Sequence, residues 1–104
     1  MKQFNILYKI LKTLAKAMDL EEFDENTVSA EALKISQPMW VSLFSMLIDN
    51  GYVEGAKVMN GITGSRNIYI SRLRITLKGL EYLEENSLMK KASDIAHGLA
   101  DFIP

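Results

Sequence analysis

The chain contains no cysteine and, in 104 residues, only two prolines and one histidine. Without cysteine it can form neither disulfide bonds nor thiolate metal sites, and it has no thiol for catalysis. No apolar run approaches the roughly 20 residues of a membrane-spanning helix, and the N-terminal segment lacks the apolar core of a signal peptide. These absences predict a small cytoplasmic protein that does not enter the membrane.

The chain also lacks a basic excess, since 12 Lys and Arg against 13 Asp and Glu give a net charge of -1. Strong non-specific affinity for polyanions usually needs such an excess. The charges are nevertheless segregated. Residues 1–18 and 51–79 are basic, whereas residues 19–50 and the segment from residue 80 onward are acidic. With 48% hydrophobic residues the chain can bury one core, which predicts a single domain over residues 1–104.

Three helices are predicted in the first half of the chain. Apolar residues recur every three or four positions in the first segment, which predicts an amphipathic helix ending near residues 18–19. An acidic, weakly periodic loop follows at residues 21–26. Ser29 is placed to cap a short second helix, and Ser36 to cap a longer third helix with Pro38 in its first turn.

The third helix is predicted to end at Gly51, which supplies the left-handed residue of a helix terminus. Its predicted core stripe consists of Trp40, Phe44, Leu47 and Ile48. Its predicted outer side consists of Met39, Ser42, Leu43, Ser45, Met46 and Asp49.

Two runs rich in β-branched and aromatic residues, 52–59 and 67–75, predict a β-hairpin with a flexible tip. Alternation in the second run is imperfect, because the face that carries Ile68 and Ile70 continues into Arg72 and Arg74. Thr76 is then placed to cap a further helix. Residues 87–104 are predicted to form a C-terminal amphipathic helix with an apolar stripe of Leu88, Ala92, Ile95, Leu99, Phe102 and Ile103.

This order of elements predicts an α+β winged helix-turn-helix fold with a three-helix core, a β-hairpin wing and additional C-terminal helices. The most specific motifs are Asn50-Gly51-Tyr52-Val53-Glu54-Gly55 and the stretch from Ile75 through Thr76 and Gly79 to Asn86. Together with Tyr8-Lys9-Ile10-Leu11 they make the chain similar to the YjcQ-like family, small winged-helix proteins of bacteria and their phages. The resemblance implies a fold and a bacterial or prophage setting, and it implies no catalytic residues.

Double-stranded DNA is the first partner that a winged helix suggests. The third helix of such proteins enters the major groove and the wing reaches phosphates or the minor groove. The contact residues predicted on this basis are Lys34, Ser36, Gln37, Ser42, Ser45, Asn60, Ser65 and Arg66. The third helix carries no Lys or Arg, so we expect binding to be weak. Ordinary solvated charges and a polar loop are the alternative explanation of the same residues.

A protein partner is the second hypothesis. If the third helix turns its aromatic residues inward, Met39, Leu43 and Met46 form an outer apolar surface typical of a protein-protein interaction adaptor. If the helix is rotated or covered, these three residues are core. In the C-terminal segment, Leu88, Ile95, Leu99 and Phe102 would either pair with their twins in a homodimer or fold back on the first helix.

Catalysis and cofactors have little support in the sequence. His97 has Asp101 at helical spacing, which indicates a surface pair rather than a catalytic dyad. The acidic loop lacks the ligand spacing and glycine of a calcium loop. Gly61 and Gly64 lie in the hairpin rather than before a helix, where a phosphate would bind. The prediction is a non-enzymatic protein without cofactor, metal or small-molecule substrate.

Overall fold

A computed structural model describes residues 2–87. The structured elements in chain order are helix α1 (Lys2–Ala17), a 3-10 turn (Glu25–Val28), helices α2 (Ala30–Leu33) and α3 (Gln37–Asp49), strands β1 (Val53–Asn60) and β2 (Arg66–Ile75), and helix α4 at residues 77–87. This is the predicted α+β class, in an order compatible with a winged helix. Within residues 2–87 no helix is long and apolar enough to cross a membrane.

The helix boundaries are set by the capping residues that the sequence indicated. The Ser29 hydroxyl accepts a hydrogen bond from the backbone N–H of Ala32 at 3.1 Å, and the Ser36 hydroxyl accepts one from Met39 at 3.2 Å. Each satisfies a donor that the first turn of a helix leaves without an intrahelical partner. Gly51 follows α3 with φ 73°. The predicted starts of α2 and α3, and the end of α3, are therefore confirmed.

The hydrophobic core lies between α1, α3 and the inner face of the hairpin. Trp40 and Phe44 of α3 are buried at its centre with ring centroids 4.6 Å apart. The indole Nε1–H of Trp40 donates to the Val28 carbonyl oxygen at 2.7 Å, which satisfies the one polar atom of the buried ring. This bond also ties the 3-10 turn to α3. The residues of α1 buried in the core are Ile10, Leu11 and Leu14.

A bulge in the hairpin explains the imperfect alternation of β2. From the tip the antiparallel pairing runs in step as far as Ala56↔Ile70 and resumes at Glu54↔Arg74. Gly55 lies in the irregular stretch with φ 80°. Extra residues at a bulge exchange the two faces of a strand, so the predicted face that joined the isoleucines to two arginines is wrong. The residues of β2 that pack on the core are Ile68, Ile70, Leu73 and Ile75.

The two sequence motifs meet where α4 begins. The Thr76 hydroxyl donates to the Gly51 carbonyl oxygen at 2.6 Å and accepts from the Gly79 N–H at 3.1 Å. The Thr76 N–H donates to the Tyr52 carbonyl oxygen at 3.0 Å. A Cβ atom on Gly79 would lie 2.3 Å from that same oxygen. Thr76 therefore caps α4, as predicted, and Gly79 lets the helix pack directly on the turn that follows α3.

Replacing Thr76 with alanine is expected to lower the free energy of unfolding by about 1–3 kcal/mol. The change removes a helix cap, worth about 1 kcal/mol, and a hydrogen bond to the Gly51 carbonyl, worth about 0.5–1.5 kcal/mol. Thr76→Ser keeps the hydroxyl and should lose much less. Urea unfolding followed by circular dichroism measures both. An unchanged midpoint for Thr76→Ala would show that the joint does not depend on this side chain.

Candidate nucleic-acid interface

The residues predicted to contact DNA begin at the turn between α2 and α3. Lys34 ends α2 in the left-handed region at φ 58°, and its backbone N–H donates to the carbonyl oxygens of Ala30 and Glu31. Ser36 and Gln37 follow at the start of α3. Lys34, Ser36 and Gln37 are exposed. The left-handed residue turns the chain sharply between the two helices. Lys34, at the C-terminal end of α2, therefore lies close to the polar first turn of α3.

The packing of α1 brings Lys2 close to the start of α3. A shallow hollow of about 190 Å³ separates the start of α1 from the start of α3. Its lining residues are Lys2, Gln3, Ile6, Lys34, Ile35, Ser36 and Met39. Sequence reasoning missed Lys2, because it lies far from Lys34 along the chain and only tertiary packing brings them to one site. Two lysines thus border the N-terminus of α3, where the helix dipole adds positive potential.

The two serines predicted further along α3 are poorly placed for DNA. Ser45 is buried, and its hydroxyl donates to the Val41 carbonyl oxygen at 2.7 Å. The prediction that Ser45 contacts nucleic acid is therefore wrong. Because the hydroxyl donates to a carbonyl oxygen of the preceding helical turn, serine can lie on the core side of the helix without an unpaired polar group. Ser42 is half-buried. The part of α3 open to a polar ligand is its N-terminal end.

The predicted apolar outer face of α3 is only partly present. Leu43 is 1% exposed, so its assignment to that face is wrong. It lies three and four residues from Trp40 and Leu47, which are also buried, so the buried side of α3 is broader than a single stripe. Met39 is half-buried, whereas Met46 is 52% exposed.

The tip of the β1–β2 hairpin collects the second group of predicted contact residues. The Gly61 N–H donates to the Ser65 carbonyl oxygen at 2.6 Å and closes the tip. Asn60 and Arg66 face each other as the last pair of the ladder. Asn60, Ser65 and Arg66 are all exposed. The structure therefore gathers the surviving candidates into two groups, one at the start of α3 and one at the end of the hairpin.

Several other arginine and lysine side chains contact acidic or aromatic residues beside them. Arg74 forms an ion pair with Glu54 across the hairpin. Three lysines lie over tyrosine rings, with Nζ 5.6–5.9 Å from the ring centroid, a distance typical of cation–π contacts. These pairs are Lys57–Tyr69, Lys78–Tyr52 and Lys12–Tyr8. The basic charge at the two candidate groups is supplied by Lys2, Lys34 and Arg66.

Some residues discussed in the sequence analysis, including one histidine that was assigned no catalytic role, lie outside the described residues. They are His97 and the proposed interface residues Leu88, Ile95, Leu99 and Phe102. Among residues 2–87 no three His, Asp or Glu side chains are grouped so that they could hold a metal ion.

Comparison with known proteins points to a family but not to a function. The sequence model of the family described as YjcQ protein matches residues 8–102, which is most of the chain. No curated protein and no solved structure matches the chain significantly.

Proposed function

Since this chain belongs to the YjcQ family, we propose that it is a small non-enzymatic winged-helix protein of bacterial or prophage origin that binds double-stranded DNA weakly and regulates transcription. The order of helices and hairpin supports the winged-helix assignment. In that fold α3 is the helix that enters the major groove, and the β1–β2 hairpin is the wing. One fold serves many functions, so the residues exposed on α3 and the hairpin, rather than the fold alone, support DNA binding.

The observation that carries the proposal is the cluster at the start of α3. Lys2 and Lys34 line one hollow with Ser36, and Gln37 is exposed beside it. Lysines at this position neutralise phosphates, and a glutamine in the first turn can hydrogen-bond the edge of an adenine. The burial of Leu43 breaks the apolar face that an adaptor would use on α3. With so few cations, the affinity should be low and strongly dependent on salt.

A protein-protein adaptor remains the second candidate because of a different observation. Met46 on α3 and Phe4 on α1 are 52% and 56% exposed. Methionine and phenylalanine are enriched in protein interfaces, and methionine adapts to varied partners. This hypothesis places the partner at the C-terminal half of α3, away from the lysine cluster.

Replacing Lys34 with glycine should weaken DNA binding without unfolding the protein. Lys34 has φ 58°, where glycine is better tolerated than any other residue, so the change removes a charge from a position it does not destabilise. Loss of one phosphate contact should lower affinity roughly tenfold at low salt and reduce the slope of log K against log salt by about one. Fluorescence anisotropy of a labelled duplex, titrated at several salt concentrations, measures both quantities.

Lys16→Ala is the matched control, because it removes a lysine at the opposite end of α1 from Lys2. It should leave the salt slope unchanged. The DNA-binding proposal fails if the wild-type chain shows no binding to duplex at low salt. It also fails if binding is present but unaffected by both Lys34→Gly and Arg66→Ala.

A further inference from the structure

The outer face of the β1–β2 hairpin carries a shallow hollow beside an exposed tyrosine. Tyr69 of β2 pairs with Lys57 of β1, and the neighbouring pair Val58↔Ile68 packs on the core. Because side chains alternate along a strand, Lys57 and Tyr69 lie on the opposite, outer face of the hairpin. The hollow there has a volume of about 260 Å³ and is lined by Gly55, Ala56, Lys57, Tyr69 and Ser71.

The Tyr69 ring is the largest apolar group at this hollow. Tyr69 is 55% exposed, and the Lys57 Nζ lies 5.6 Å from its ring centroid. Gly55 at the bulge has no side chain and Ser71 has a short one, so the hollow lies open beside the ring. Its volume is below the roughly 300–1,000 Å³ of pockets that enclose drug-sized ligands. The hollow therefore suits one planar ring system that stacks on the tyrosine.

The charge around the hollow favours a polyanion. Residues 55–70 include Lys57 and Arg66 and no acidic residue. The one acid of the hairpin strands, Glu54, forms an ion pair with Arg74. Acidic residues of the loop after α1 line a different cleft, which shares no residue with the hollow. The charged residues of that cleft are Glu21, Glu22, Glu25, Arg72 and Arg74.

The residues at the hollow favour a single-stranded nucleic acid over a protein or a duplex. A protein partner would bury Lys57, and lysine is depleted from the cores of protein interfaces. In duplex DNA the bases stack on one another, so their faces are closed to a tyrosine ring. A single strand exposes those faces, and proteins bind it with aromatic side chains in basic surroundings.

We propose that the hollow binds one unpaired base of single-stranded DNA, stacked on the Tyr69 ring, with the Lys57 ammonium beside the adjoining phosphate. The Ser71 hydroxyl can hydrogen-bond an edge of the base. Stacking uses the π-face that every base has, so the site should show little sequence preference. The inference does not rest on duplex binding, because it uses none of the lysines at the start of α3.

Removing the bases from the DNA separates stacking from phosphate contact. A short labelled oligo(dT) and an abasic strand of the same length and charge are titrated with the full-length chain, and fluorescence anisotropy gives both affinities. The wild-type chain should bind oligo(dT) about 5- to 100-fold more tightly than the abasic strand, the gain expected of one base stacked on an aromatic side chain. Equal affinity for the two strands, or binding to neither, would overturn the proposal.

Two substitutions of Tyr69 test the role of its ring. Tyr69→Leu should abolish the preference for oligo(dT), because leucine keeps apolar bulk without a ring, whereas Tyr69→Phe should keep it. Phe4→Leu is the matched control, because it exchanges a ring for leucine at 56% exposure on α1, and it should change neither affinity. Both positions are more than half exposed, so the leucine variants should fold, which circular dichroism checks. The proposal is overturned if Tyr69→Leu keeps the preference or if Phe4→Leu loses it as well.

Duplex DNA and RNA distinguish this site from the alternatives. Tyr69→Leu should leave the affinity for blunt duplex unchanged, and Lys34→Gly should leave the preference for oligo(dT) over the abasic strand unchanged. A chain that binds no duplex but keeps that preference would refute the duplex proposal and support this one. Oligo(U) bound more than about tenfold more tightly than oligo(dT) would overturn DNA as the ligand, since recognition would then depend on the 2′-hydroxyl.

Discussion

Replacing Phe44 with alanine is expected to lower the free energy of unfolding by about 3–5 kcal/mol. The side chain is 0% exposed, its ring centroid lies 4.6 Å from that of Trp40, and it is the largest of the fully buried side chains among residues 2–87. Truncation removes the buried ring and leaves a cavity that α1 and the hairpin cannot fill without moving. Urea denaturation monitored by circular dichroism gives the change in unfolding midpoint.

The same helix offers a matched control for Phe44→Ala. Met46 is 52% exposed, so Met46→Ala truncates a large apolar side chain of the same helix at a solvent-exposed position. Its cost should stay within about 1 kcal/mol. A small domain has a total stability of about 5–15 kcal/mol, so the Phe44 variant would lose a large share of it. Equal losses for the two variants would contradict the placement of Phe44 at the centre of the core.

Helix boundaries were predictable from sequence because they depend on residues only a few positions apart. The hydroxyls of Ser29 and Ser36 accept hydrogen bonds from N–H groups three residues along the chain. Gly51 ends α3 through its own left-handed backbone conformation. No tertiary information is needed for such contacts. The family resemblance was recognisable because each of its two motifs is a short run of consecutive residues, although the motifs meet only in the folded chain. Its two motifs mark a single joint, where Thr76 and Gly79 pack on the turn after α3.

The buried residues of α3 could be predicted only in part, because the width of the buried face depends on how many elements pack around the helix. Periodicity finds the direction of the core but not the width of the buried arc. Trp40 and Phe44 were assigned correctly, whereas Leu43 and Ser45 lie at the edges of an arc that is broader than the predicted stripe. The same limit applies to the candidate site. Ser36 and Gln37 follow from the cap, but Lys2 enters through the packing of α1 alone.

The hairpin shows a third kind of limit. Its alternation in the sequence is visibly irregular, yet the irregularity cannot be located without knowing how β1 pairs with β2. The structure places it opposite Gly55, between the pairs Glu54↔Arg74 and Ala56↔Ile70. Arg72 adopts φ 59° within the irregular stretch, a conformation that L side chains disfavour by about 1–2 kcal/mol. Pairing across the rest of the ladder must offset that cost.

Replacing Gly55 with alanine should accordingly destabilise the protein by about 2–5 kcal/mol. Gly55 has φ 80°, and a Cβ atom there would lie 2.2 Å from the Arg72 carbonyl oxygen and 2.7 Å from that of Ser71. The left-handed backbone accounts for about 1–2 kcal/mol and the overlap for about 1–3 kcal/mol. Both contacts are with backbone atoms, so no side-chain rotation can relieve them. Thermal unfolding followed by circular dichroism measures the loss.

Replacing Gly64 distinguishes the cost of the left-handed backbone from the cost of steric overlap. Gly64 has φ 81° at the hairpin tip, and a Cβ atom there would meet nothing within 4 Å. Gly64→Ala should therefore cost only the left-handed backbone term, about 1 kcal/mol after the smaller entropy of unfolded alanine is included. The difference between the two variants measures the close approach of the strands at the bulge. If both lose the same stability, the backbone of Ser71 and Arg72 moves aside at no cost.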